Sequence, residues 1–233
     1  MTIAENVEVV RETMRRALER SGRSESEVRL MAVTKFVSTD RIAEAVDAGI
    51  TLIGENRAQE FTEKLTFYKQ RNLEAHFIGQ LQTNKVKYIC GNADMIQSVD
   101  RMPLLEAIAN RAAAQGTEQR ILFEVNIGRE PQKGGFAPED LMRYAESACA
   151  KKGVRLCGLM CVPPAGEPES ARPYFRQMRM LFEQLRMSVP SVDTLSMGMS
   201  HDYPIAIEEG ATIVRVGTAI FGARTIQGGT HNG

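Results

Sequence analysis

The sequence predicts a single (β/α)8 barrel, preceded by one extra helix. Three observations carry the prediction: apolar or β-branched runs alternate with helix-periodic segments, eight such runs fall within 233 residues, and no Pro-, Gly- or Ser-rich linker divides them. The length sits near the lower end of the range for this barrel. A doubly wound open sheet is the competing arrangement, but no G-x-G-x-x-G follows the first strand.

Val7, Val10, Met14 and Leu18 recur at helical spacing and Gly22 stands where such a helix stops, so an amphipathic helix opens the chain. The first strand is read over Val28 to Thr34 and the second over Thr51 to Ile53, separated by a helix from Asp40 to Ala48 that Gly49 closes. Helices over Arg57 to Gln70 and Asn84 to Tyr88 lead to strands at Ala75 to Ile78 and Met95 to Val99 in turn with them. Arg101 to Ala114 precedes strand five, Ile121 to Ile127, and Pro138 to Lys152 precedes strand six, Val154 to Met160. Glu169 to Met187 leads to strand seven, Thr194 to Met197, and Pro204 to Glu209, closed by Gly210, leads to strand eight, Ala211 to Val216. DAGITLIGEN (47–56) and EEGATIVRVGT (208–218) share a helix, glycine, strand, glycine rhythm, read as the repeating unit of the barrel. One domain over residues 1–225 is expected, with residues 226–233 as a flexible tail.

Composition narrows the partners. Apolar residues make up 43% and charged residues 25%, as in an ordinary globular protein, and 29 Lys and Arg balance 29 Asp and Glu. No net field recruits nucleic acid or an anionic membrane. The opening MTIAENVEVVRETMRRALERSG is charged throughout and reads as neither signal peptide nor anchor, so the cytoplasm is the expected compartment. Cys90, Cys149, Cys157 and Cys161 form no CxxC pair and have no nearby histidine, which argues for buried or idle thiols and against disulfides or a zinc site.

In such a barrel the active groups gather where the strands end. Lys35 closes the first strand, Glu55-Asn56-Arg57 follows the second, Gly79-Gln80 the third, and Asn126 closes the fifth. Gly198-Met199-Ser200-His201 follows the seventh, and Arg215 precedes Gly217-Thr218 on the eighth. Backbone N–H groups at Gly217-Thr218 and near Ser200 can converge on one phosphate, in the loops where this fold usually binds one. The alternative is that Ser200 or Asp202 caps a helix and Gly217 merely permits a turn. Lys35 reads either as a solvated strand-end charge or, opposite a phosphate cradle, as an amine able to hold a phosphorylated aldehyde as a Schiff base. His76 fits an interior hydrogen-bonded histidine at least as well as a catalytic one. Met197 and Met199 either flank a flat ring or fill the core.

The blocks MAVTKFVS, IGENRAQEF, HFIGQLQTNKVK, FEVNIG with KGGF, GLMCVPP and LSMGMSHDYPIAIEEGATIVRVGTAIFGAR together resemble the pyridoxal phosphate homeostasis protein family, from Val28 to Arg224. The resemblance implies a barrel similar to the N-terminal domain of alanine racemase, holding pyridoxal 5'-phosphate (PLP), a vitamin B6 cofactor, at the strand ends. It places the Schiff-base lysine at Lys35, the phosphate contacts at Ser200, Gly217 and Thr218, the arginine facing the pyridine nitrogen at Arg215, and a further residue near the cofactor at Asn56. His201-Asp202-Tyr203 with Pro204 departs from the more acidic run of many relatives, which leaves the helix start beside the phosphate in question.

An arginine at the ring nitrogen disfavours its protonation and weakens the ring as an electron sink. Racemases resembling this barrel add a second base from a C-terminal domain, and the sequence ends at Gly233 soon after strand eight, with only Tyr203 as a nearby tyrosine. The expectation is therefore a non-catalytic, monomeric protein that buffers, carries or delivers PLP by reversible Schiff base at Lys35, with PLP-dependent apoenzymes as recipients. Two alternatives remain: a slow PLP-dependent racemase or transaminase, and a cofactor-free aldolase using Lys35. Lys85 and Lys87 read as a second PLP-binding patch or as a solvated face.

Overall fold

The computed structural model describes residues 1–222; Arg224 and the 226–233 tail lie outside the described residues. Eight parallel strands close into a barrel in sequence order: β1 (Arg29–Val33), β2 (Leu52–Glu55), β3 (Glu74–Phe77), β4 (Met95–Val99), β5 (Gln119–Glu124), β6 (Val154–Met160), β7 (Thr194–Ser196) and β8 (Ile213–Val216). Closure is made by β1 on β8, with Arg29 opposite Ile213 and Ala32 opposite Val216. Helices α1 (Ile3–Ser21), α2 (Thr39–Asp47), α3 (Ala58–Gln70), α4 (Val86–Ile89), α5 (Met102–Ala114), α6 (Leu141–Cys149), α7 (Arg172–Ser188), α8 (Tyr203–Glu208) and α9 (Thr218–Phe221) surround it.

The extra helix α1 forms where the spacing of Val7, Val10, Met14 and Leu18 places it. Thr2 and Glu5 form a reciprocal capping box at its start, and Gly22 ends it in the left-handed conformation at φ 65°. Its apolar face packs on α2, α8 and α9, where Asn6 Nδ2 donates to the carbonyl of Ile220 (2.9 Å) and Arg11 reaches the carbonyls of Ala48 and Gly49. It therefore covers the outside of the seam between β8 and β1.

Most apolar burial lies between the strands and the helix ring. Inside the barrel are two small apolar groups, Met31, Leu52 and Ile213, and Met95, Leu122, Cys157 and Met160. Polar side chains run between them, as described below.

Boundaries depart from expectation at turns. The segments opening at Pro138 and Pro168, and the one at Thr83, begin with a 3-10 turn before the α-helix. Strand five stops at Glu124, not at Ile127, because the chain beyond it pairs with Phe136: Phe136 N–H donates to Glu124 O and Asn126 N–H to Phe136 O. No helix among the described residues is long and apolar enough to cross a membrane.

Candidate functional site

Lys35 lies half-buried in the turn after β1, and that turn is fixed from the β2 side. Thr34 N–H donates to the carbonyl of Gly54 (2.9 Å) and its hydroxyl donates to Glu55 Oε2 (3.2 Å). Lys64 Nζ donates to the carbonyl of Thr34 (2.9 Å) and pairs with Glu55 (2.9 Å) and Glu60 (3.0 Å). Glu60 also accepts the N–H of Phe36 at 2.7 Å, which holds that residue at φ 61°. Glu55 is fully buried, and Lys64 Nζ, the Thr34 hydroxyl and the Asn56 N–H supply the donors that its oxygens need there. The backbone carrying Lys35 is thus pinned by a buried carboxylate and a lysine that the sequence reading missed. The one sequence signal for Lys64 was its i,i+4 spacing from Glu60 on α3.

The other rim residues fall on either side of this turn, because β8, β1 and β2 are consecutive around the barrel. A Cβ on Gly217 would touch Val33 Cβ at 3.4 Å, which places the start of α9 directly against the end of β1. Ser200 Oγ accepts from the N–H groups of Gly217 (3.3 Å) and Ala219 (3.5 Å), joining the loop after β7 to the first turn of α9, where Thr218 is exposed. Both contacts are long, so the hydroxyl and the two amides converge without being tightly consumed by one another. On the other side, Asn56 N–H donates to Glu55 Oε1 (2.8 Å), while Asn56 Oδ1 is buried and has no hydrogen-bond partner. Gly79 makes this approach possible: a Cβ there would stand 1.9 Å from the Asn56 carbonyl oxygen.

The departure at 201–203 leaves the presentation of Ser200 intact. Asp202 Oδ1 accepts the N–H of Met199 at 2.6 Å, and Tyr203 N–H returns to the carbonyl of Met199, closing the turn before α8. Gly198 makes the bend at φ 91°, where a Cβ would lie 2.5 Å from that of Ala206. Tyr203 is buried against α1 with its hydroxyl on Thr13, and burial pushes its phenol up. Met197 is fully buried core, whereas Met199 is exposed.

Arg215 is buried inside the barrel and heads a chain of hydrogen bonds across it. Its Nη1 donates to Ser196 Oγ (2.7 Å) and its Nη2 to the carbonyl of Cys161 (2.8 Å). Ser196 donates to Gln97 Oε1 (2.7 Å), Gln97 Nε2 donates to His76 Nδ1 (2.8 Å), and His76 Nε2 donates to Glu74 Oε1 (2.8 Å). Donors thus point one way, from a cation to an anion, through three fully buried residues. Burial holds His76 below its usual value and hence neutral, while its hydrogen bond is the main reason that Glu74 lies well below the carboxylate range. His76 is the interior histidine of the two readings. Burial pushes the Cys161 thiol up to about 12. Cys90 and Cys157 are likewise buried and Cys149 is exposed; all four are free.

Asn126 is not at the rim as a free ligand. Its amide is spent on the following loop, donating to the carbonyls of Glu130 (2.9 Å) and Lys133 (3.2 Å) and accepting from Glu130 N–H (3.0 Å). Glu124 closes β5 instead, and burial, with the charge of Asp100 second, pushes it up to about 7. Lys85 and Lys87 stack on Tyr88 at 5.6 and 4.9 Å, and Lys85 lines a groove of about 750 Å³ that runs from Asn56 past Gln80 between α3 and α4. Among the described residues no cluster of His, Cys, Asp and Glu is arranged to hold a metal.

Comparison with known proteins identifies the family. The alanine racemase N-terminal domain family matches residues 2–225. The chain is 45% identical over 226 residues to the pyridoxal phosphate homeostasis protein of Aquifex aeolicus, covering 96% of this chain and 99% of that one. The protein of the same name in Escherichia coli K12 is 39% identical over 227 residues, covering 95% of this chain and 97% of its own. PipY of Synechococcus elongatus, whose structure was solved with PLP bound, superimposes with a TM-score of 0.82 at 32% identity, over 95% of this chain and 100% of its own. With its closed barrel, its strand-end lysine and this agreement over nearly the whole length, the chain belongs to the alanine racemase N-terminal domain family and, within it, to the pyridoxal phosphate homeostasis proteins.

Proposed function

We propose that this protein binds PLP reversibly and serves to buffer, carry or deliver it without turning over an amino acid. The observation that carries the reading is the convergence on one rim of the Lys35 turn, the Ser200 hydroxyl with the Gly217 and Ala219 amides, and the buried, unpartnered Asn56 Oδ1. An unmet acceptor and a loosely held cradle of donors fit a ligand that brings both hydrogen-bond donors and an anionic phosphate.

In this reading Ser200, Gly217 and Thr218 hold the phosphate, Asn56 contacts the cofactor, and Lys35 supplies the primary amine. When bound, PLP supplies an aldehyde that condenses reversibly with an amine and a ring that withdraws electrons according to the charge at its nitrogen. Arg215 offers only donors, and Ser196 and Cys161 keep it in one place, so it would face the ring nitrogen as a hydrogen-bond donor and favour its unprotonated form. Tyr203 is turned toward α1 and Thr13, away from service as a base at the rim. With Tyr203 turned away, the groups that meet at the Lys35 rim bind and orient, which favours holding the cofactor over using it. A cytoplasmic, monomeric protein with PLP-dependent apoenzymes as recipients completes the proposal.

Borohydride reduction of the PLP-saturated protein followed by peptide mass mapping tests it. A phosphopyridoxyl adduct is expected on the peptide holding Lys35. Labelling scattered over surface lysines with Lys35 unmodified would overturn the assignment.

A further inference from the structure

The barrel mouth opposite Lys35 is also a cavity. At the N-terminal ends of the strands a space of about 420 Å³ is lined by Arg23, Arg29, Arg120, Arg179 and Arg186, with His76 in its wall. The five guanidinium groups come from four separate places: the segment after α1, β1, β5 and α7. Facing them are Glu27 and Asp193 in the lining, with Glu74 and Glu183 bonded to its arginines, so one positive charge is left over.

Two of the arginines are poorly met. Arg29 and His76 take the short contacts of Glu74, at 2.6 and 2.8 Å, which leaves Arg120 Nη1 at 3.8 Å from the same carboxylate. Glu183 is engaged by Arg179, and Arg186 Nη1 stands 3.8 Å from it. The Nε–H of Arg120 is buried with no acceptor at all. Asp193 is occupied by the hydroxyl of Thr194 at 2.6 Å. Arg23 is held below its usual value, by burial first and by the like charge of Arg179 in addition. The Arg120 side chain is 34% exposed, so its guanidinium faces the cavity with no carboxylate closer than 3.8 Å and is open to an anion from outside.

We propose that this cavity is a second ligand site, which binds a phosphate group either as inorganic phosphate or as the end of a phosphate monoester. A phosphate dianion carries several acceptors in a tetrahedral array and can meet guanidinium forks from different directions. A carboxylate is planar and singly charged, so it balances fewer of these guanidinium groups. The proposal rests on the N-terminal mouth alone and does not depend on what occupies the opposite rim.

The test is isothermal titration of inorganic phosphate into the full-length protein at constant ionic strength, repeated with glycerol phosphate. Saturable binding is expected, weakened at least tenfold in Arg120→Gln and in Arg186→Gln and retained in Ser200→Ala. The Arg186 side chain is 58% exposed, so its variant should keep the fold even if Arg120→Gln does not. Tighter binding of glycerol phosphate would identify a monoester as the ligand, and tighter binding of inorganic phosphate would identify the free ion. No saturable binding, or binding lost in Ser200→Ala and unchanged in Arg186→Gln, would overturn the proposal.

Discussion

Arg215 Nη1 stands 2.7 Å from Ser196 Oγ, and that contact turns a buried cation into the first member of an ordered chain. The hydroxyl accepts from the guanidinium and so must spend its own hydrogen on Gln97, which in turn commits the tautomer of His76. Removing the hydroxyl therefore acts in two places. Ser196→Ala is expected to lower unfolding stability by about 1–3 kcal/mol, the cost of a buried group left without its partner, as read by urea denaturation. The absorbance of bound PLP should shift as well, because Arg215 loses its rest. Unchanged stability and spectrum would mean that Arg215 is held by Cys161 alone.

Lys35→Ala removes the primary amine but leaves Ser200, Gly217 and Thr218 in place. The variant should lose the imine absorbance band and still retain PLP measurably on equilibrium dialysis. An unaltered band would move the attachment to another lysine, with Lys85 beside the Asn56 groove as the first to inspect.

Thr218→Val keeps the shape of the first residue of α9 and deletes one hydroxyl. Loss of a hydrogen bond to a charged phosphate should weaken PLP affinity by about 1.5–3 kcal/mol, as followed by fluorescence titration. Equal affinity would assign the phosphate to Ser200 and the backbone amides.

Gly198→Ala puts a Cβ into a left-handed position at φ 91° and 2.5 Å from Ala206 Cβ. Strain and overpacking together should cost about 2–4 kcal/mol in thermal or urea unfolding. Arg215 N–H donates to the Gly198 carbonyl at 3.0 Å, so PLP affinity should fall with stability. A variant that unfolds like the parent would show that the loop after β7 can shift freely.

Glu124 is raised from 4.5 to about 7 by burial, then by Asp100. Between those values the folded chain holds a proton that the unfolded chain has released, so stability falls as pH rises through the window and levels off above it. The full effect is about 3 kcal/mol. Urea midpoints measured from pH 4.5 to 8 should show this decline in the parent and a flatter profile in Glu124→Gln. Parallel profiles would mean that Glu124 titrates like a surface carboxylate.

The eight strands, the leading helix and the polar strand ends were all legible in the linear order of residues, because hydrophobic period and glycine punctuation are local properties. So were Lys35, Asn56, Ser200, Arg215, Gly217 and Thr218 as residues at strand ends, since a barrel of known direction brings its C-terminal ends to one rim. The motif resemblance supplied the roles proposed for them. Lys64 was hidden because its partner Glu55 belongs to another element, and nothing in a helix-surface lysine announces a buried carboxylate across a turn. Asn126 was misplaced because a strand-end amide can be consumed by its own loop, and Glu124 was overlooked because its displaced titration depends on burial that period alone does not measure. Local pattern in the chain was enough for the barrel, its strand order and most of the polar strand ends. Only the tertiary structure decided that Ser196, Gln97 and His76, from three different strands, align as one donor chain beneath Arg215, and that five arginines from four segments meet at the opposite mouth, because hydrogen bonds and charge balance depend on distances between residues far apart in the chain.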